Sequence, residues 1–201
     1  MEIRTLGSRD VELFLSAFHD IADDQMSAYA GRLKHVARQG FPPGVGAGRG
    51  KPARYDADQF FQFLTVAELA QFGVTPARAI QLVSEAWSRL RTDVLNIWTS
   101  LADAEHGKIV ETPSIFWSVP AQAQRHCARA NMPYSLDADD VLRPVTVDQV
   151  QDALISGRYN VRRHAFIAAH QLVEDALSNL RFGHLSWPPE HIAAFMHGLR
   201  R

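Results

Sequence analysis

Apolar residues recur at steps of three and four along most of this chain, which is the spacing of one helical face. From Ser8 to about Ala22, Val11, Phe14, Leu15, Phe18 and Ile21 form such a stripe, with Ser8 placed to cap it and Asp10 and Glu12 at its positive end. A second helix is expected over Gln25–Arg38, with Met26, Tyr29, Leu33, Val36 and Ala37 facing inward. Gly40 ends it, and Pro42-Pro43 bars continuation. After a glycine-rich stretch, Asp56 and Gln59 stand three apart as a reciprocal cap. They open a third helix whose inner face includes Phe60, Phe61, Leu64 and Ala67. Thr75 caps a fourth helix, and Pro76 occupies its first turn, where a proline costs no hydrogen bond.

The fourth helix has the most regular pattern. Ile80, Val83, Trp87, Leu90, Val94, Ile97 and Leu101 alternate steps of three and four without a break. So narrow a seam suits a two-helix contact between subunits, and a long helix buried within one subunit is the alternative. Beyond Gly107 the texture changes. Ile109-Val110 and Ser114–Val119 read as short strands split by Pro113 and closed by Pro120. Helical spacing returns at Ala121–Ala130, Val147–Ser156 and Arg163–Leu180, the last with a weaker seam of Phe166, Ala169, Val173, Ala176 and Leu180. Trp187-Pro-Pro-Glu opens a terminal helix. The expected fold is mainly α: an N-terminal domain over 1–79, a dimerisation helix over 80–106, and a mostly helical C-terminal part with a short β segment over 107–201. A fragment ending near Ala104 is expected to retain the N-terminal activity.

Composition adds bounds. With 46% apolar and 21% charged residues, the 201-residue chain is of ordinary globular type. No apolar run approaches the ~18 residues of a membrane span, and Met1-Glu-Ile-Arg-Thr lacks a secretory pattern, so a cytoplasmic protein with no membrane partner is expected. The net charge of −1 hides a polarised distribution. Between Asp24 and Asp56 there is no acidic residue, while Arg32, Lys34, Arg38, Arg49, Lys51 and Arg54 fall there with His35. Two helices, a glycine-rich basic loop and a third helix, in that order, make a helix-turn-helix with a wing. Such a module carries side chains to base edges and arginines to neighbouring phosphates.

The stretch Leu33-Lys-His-Val-Ala-Arg-Gln-Gly-Phe, the loop, Arg54-Tyr-Asp-Ala-Asp-Gln-Phe, and then Leu69-Ala-Gln-Phe-Gly-Val-Thr-Pro together resemble the MerR family of transcription regulators. The likeness covers roughly Met26 to Val83. It implies a winged helix-turn-helix followed by a long pairing helix, with Lys34 and His35 at family DNA-facing positions and Tyr55 closing the wing. The usual tyrosine-arginine pair of the wing reads Pro52-Ala53 here, and one cysteine, Cys127, does not support the family's thiolate metal sensing. The candidate DNA-contacting set is Tyr29, Arg32, Lys34, His35, Arg38, Arg49, Lys51, Arg54 and Tyr55, and the pairing set is the seven-residue seam from Ile80 to Leu101.

Other chemistries are weaker. The glycine loop is no phosphate-binding P-loop, since Val45 stands where its first glycine should and Pro52 follows Lys51. His164 and His170, like His191 and His197, are six apart, a poor spacing for one metal on one helical face. His126 beside Cys127 is no catalytic pair by sequence adjacency alone. Phe116, Trp117, Tyr134 and Tyr159 are read as core aromatics, with an effector pocket as the sharper alternative. No catalytic residue, metal or cofactor is expected. The sequence reads as a homodimeric, sequence-specific regulator of double-stranded DNA, with an effector or protein partner at the C-terminal half. An architectural or recombination-accessory DNA protein and a helical adapter that binds no DNA are the rivals.

Overall fold

The computed structural model describes residues 4–46, 52–111, 113–120, 141–156 and 164–200. Among these the chain is mainly helical, with seven α-helices and two small antiparallel sheets. It divides into two compact units, one of residues 1–68 and 175–201 and the other of residues 69–174. The division falls within two helices and not at Gly107, and it places the last 27 residues with the N-terminal helices.

In the first unit β1 (Leu6–Gly7) pairs antiparallel with β2 (Arg54–Tyr55), Leu6 opposite Tyr55 and Gly7 opposite Arg54. Helix α1 (Ser8–Phe18) starts at the expected residue, but Ser8 is not its cap. Gly7 is its N-cap, and the Gly7 amide donates to Asp10 Oδ2 at 2.8 Å. It also ends earlier, where Asp20 takes a left-handed φ of 49°. A 3-10 turn (Asp23–Gln25) leads into α2 (Met26–Arg38), which stops before Gly40 at φ 77°. Helix α3 (Ala57–Gln71) opens with the reciprocal cap read from the sequence: Asp56 N donates to Gln59 Oε1 at 3.1 Å, and Gln59 N to Asp56 Oδ1 at 2.9 Å. Phe60 lies edge-on to Phe14 of α1 and to Phe195. Phe195 belongs to α7 (Pro189–Met196), which a 3-10 turn (His197–Arg200) extends. The terminal helix therefore completes the core around α3, with Phe195, Met196 and Leu199 all buried.

In the second unit, Thr75 caps and Pro76 opens α4 (Pro76–Glu105). Strands β3 (Phe116–Pro120), β4 (Arg143–Val145) and β5 (His164–Ala168) form an antiparallel sheet in the order β4-β3-β5. Trp117 of β3 is fully buried, and its Nε1 donates to Asp93 Oδ2 of α4 at 2.9 Å. Arg89 of α4 donates to the Val141 carbonyl at 3.3 Å. Helix α5 (Val147–Ser156) matches its expected span, and α6 (Ala169–Phe182) follows β5. The helix expected from Arg163 is thus corrected. His164–Ala168 pairs along its length with β3, and that cross-strand pairing overrides the weak helical spacing of Phe166. Ile109-Val110 is exposed and outside any strand, while Ala121–Ala130 lies outside the described residues. No described helix is long and apolar enough to cross a membrane.

The expected pairing seam lies on α4. Val83, Leu90, Val94 and Ile97 are fully buried within a single chain, and Ile80, Trp87 and Leu101 are half-buried. The same face of α4 carries Asp93, which receives Trp117 of the sheet, so this apolar arc serves the core of its own subunit. A three-four spacing describes any helix with one covered face and does not tell which chain covers it.

Candidate nucleic-acid interface

Helix α2 sorts its side chains cleanly. Tyr29, Ala30, Leu33 and Val36 are buried, and Arg32, Lys34, His35 and Arg38 are exposed. Ser27, Ala28 and Gly31 share the outward side, and a Cβ at Gly31 would meet nothing within 4 Å. The earlier half of this outward face is therefore low-relief and the later half cationic. No acid lies on the helix. On α1, Glu12 engages Arg9 and approaches Lys34 Nζ at 3.8 Å, so part of the Lys34 charge is locally balanced. Among the described residues, no carboxylate pairs with Arg32 or Arg38. The Arg32 guanidinium sits 5.9 Å from the Tyr29 ring centre, a cation–π contact that orients it without neutralising it.

Arg54 is exposed on β2, where pairing with Gly7 ties the far end of the glycine loop to the start of α1. The near end is anchored too, by Gln59 Nε2 donating to the Pro43 carbonyl at 2.9 Å. Gly44 and Gly46 adopt left-handed φ values of 83° and 69°. Arg49 and Lys51 lie outside the described residues.

The two tyrosines of the expected DNA surface are core residues instead, Tyr29 at 3% and Tyr55 at 4% exposure. Tyr55 packs on Phe63 with ring centres 5.8 Å apart, and burial pushes its phenol above the ordinary value. The cause is simple: an aromatic ring on the inner side of its element, helix α2 for Tyr29 and strand β2 for Tyr55, gains more from burial than from solvent.

The sequence reading missed the group that holds Tyr29. Its hydroxyl lies 2.5 Å from His19 Nδ1, and His19 Nε2 lies 2.7 Å from Glu68 Oε1. This chain links α2 to α1 and α1 to α3. A carboxylate only accepts, so the proton between His19 and Glu68 is donated by Nε2, and Nδ1 shares the second hydrogen bond with the Tyr29 hydroxyl. Hydroxyl, imidazole and carboxylate stand in the order of a nucleophile, base and orienting acid. Here, however, burial, reinforced by the Glu68 charge, raises the Tyr29 phenol well above its ordinary value. It therefore keeps its proton and stands as a hydrogen-bonding group, not a nucleophile. The inward phase of Tyr29 was the one available signal, since nothing local relates His19 to a glutamate 49 positions away.

No family model, curated protein or solved structure matches this chain. The functional reading therefore rests on its own residues.

Proposed function

We propose that the protein is a sequence-specific regulator of MerR-like type that binds double-stranded DNA with the outward face of α2. The observation that carries this reading is the sorting of α2: Arg32, His35 and Arg38 outward with Lys34 at the flank, no acid on the helix, and an apolar inner face. A helix of that kind can enter the major groove, because its cations meet phosphates and base edges while no carboxylate repels the duplex. Arg54, at the anchored end of the glycine loop, adds a backbone contact on the reading that this loop is a wing. The second unit supplies the effector or partner function. Pairing of two subunits uses the half-buried flank of α4 around Ile80 and Trp87, since the buried arc is occupied.

The test is selection of duplexes from a random pool by the full chain, followed by titration against the selected and a scrambled duplex at several salt concentrations. Arg38→Ala should weaken both duplexes and flatten log affinity against log salt by about one unit per lost phosphate contact. Arg32→Ala should reduce discrimination by ~1–3 kcal/mol if Arg32 reads a base. Wild-type protein that enriches no sequence, with a salt slope unchanged in both variants, overturns the reading.

A further inference from the structure

Under the DNA-binding reading, on which this inference rests, we infer that Tyr29 is a positioning residue that sets the rotation of α2 through His19 and Glu68. Two observations converge on it. Among the described residues the buried Tyr29 hydroxyl is engaged by His19 alone, the residue that closes α1, and His19 is fixed in turn by Glu68 on α3. The same Tyr29 ring underlies Arg32, three residues further along the outward flank. One side chain thus ties the buried frame to a candidate DNA-contacting cation.

The other inner residues of α2 are Ala30, Leu33 and Val36. Their apolar contacts are non-directional, so they set how deep the helix sits more firmly than how far it is turned. A hydrogen bond weakens steeply off line and resists turning. Side-chain tips lie ~5–6 Å from a helix axis, so a turn of about 10° moves them by ~1 Å. Polar recognition tolerates only about 0.5 Å. A small release of the phenol should therefore blur base reading while leaving the cations near the phosphates.

Tyr29→Phe tests this, because it keeps the ring beneath Arg32 and removes only the hydroxyl. Glu68→Leu breaks the far link from a different helix, and Glu68→Gln retains an acceptor for His19. Each variant is checked for fold by circular dichroism, then titrated with a duplex selected by the wild-type protein and with its scrambled counterpart. Tyr29→Phe and Glu68→Leu should lower the preference for the selected duplex about tenfold, with affinity for scrambled DNA within twofold of wild type. Glu68→Gln should keep the preference. Folded variants that retain full discrimination overturn the inference and leave the DNA-binding reading standing. Equal loss on both duplexes also overturns it, since that is the mark of a merely structural role. Wild-type protein that binds no duplex overturns the underlying reading itself.

Discussion

At the scale of single residues, buried polar groups are where this fold is most sensitive. Asp93 is 9% exposed on α4, and burial raises its carboxyl above the ordinary value, against the lowering effects of the Trp117 hydrogen bond and the Arg89 charge. The sign follows from linkage. The folded chain holds this proton more tightly than the unfolded chain, so the contribution to stability is full below 3.8 and is lost as pH rises through the raised folded value. Asp93→Asn keeps an acceptor for Trp117 Nε1 and does not titrate. Its thermal midpoint should therefore gain on that of wild type as pH is raised from about 4 toward neutrality. A midpoint difference independent of pH counts against this account. Trp117→Phe removes the donor and leaves a buried carboxyl without it, which should cost about 1–3 kcal/mol in urea unfolding at neutral pH.

At the scale of elements, α4 separates two explanations of one pattern. Its seven-residue seam spans a fully buried arc and a half-buried flank. Val94→Glu places a carboxylate in the buried arc and should unfold the second unit, because an unpaired buried charge has no compensation. Ile80→Glu touches only the flank. It should leave the circular dichroism spectrum unchanged and, on the pairing proposal, halve the sedimenting mass. A folded Val94→Glu protein would contradict the burial of that arc. A folded flank variant of unchanged mass would instead locate any pairing elsewhere. The capped start of α3 shows the opposite case, in which local chemistry decides alone. Asp56 and Gln59 satisfy each other's amides within four residues, and nothing distant is required.

At the scale of the whole molecule, the consequential feature is that residues 175–201 belong with residues 1–68. Phe195 touches both Phe60 and Trp187 and is fully buried. Phe195→Ala should cost about 3–5 kcal/mol in urea unfolding, the loss expected for a core aromatic with its cavity. A cost below about 1 kcal/mol would show that the terminal helix is dispensable to that core. The fragment ending near Ala104, which the linear domain division would regard as self-sufficient, lacks this covering and should fail to fold stably.

The sequence by itself determined whatever depends on neighbours along the chain: the mainly helical class, the caps at Asp56 and Thr75, the stop at Gly40, the span of α5 and the basic, acid-free run through α2. Hydrophobic phase and capping are short-range, so these can be read from a window of a few residues. Tertiary structure alone decided what depends on partners far away in sequence. It paired β5 with β3 where helical spacing pointed elsewhere, and it buried Val83, Leu90, Val94 and Ile97 of the α4 seam within their own chain. It also turned Tyr29 and Tyr55 from candidate DNA contacts into core residues, one of them tied through His19 to Glu68. Periodicity shows that a face is buried. Which surface buries it, and which buried hydroxyl finds which acceptor, is settled only when distant segments meet, because each buried polar group must then find a partner.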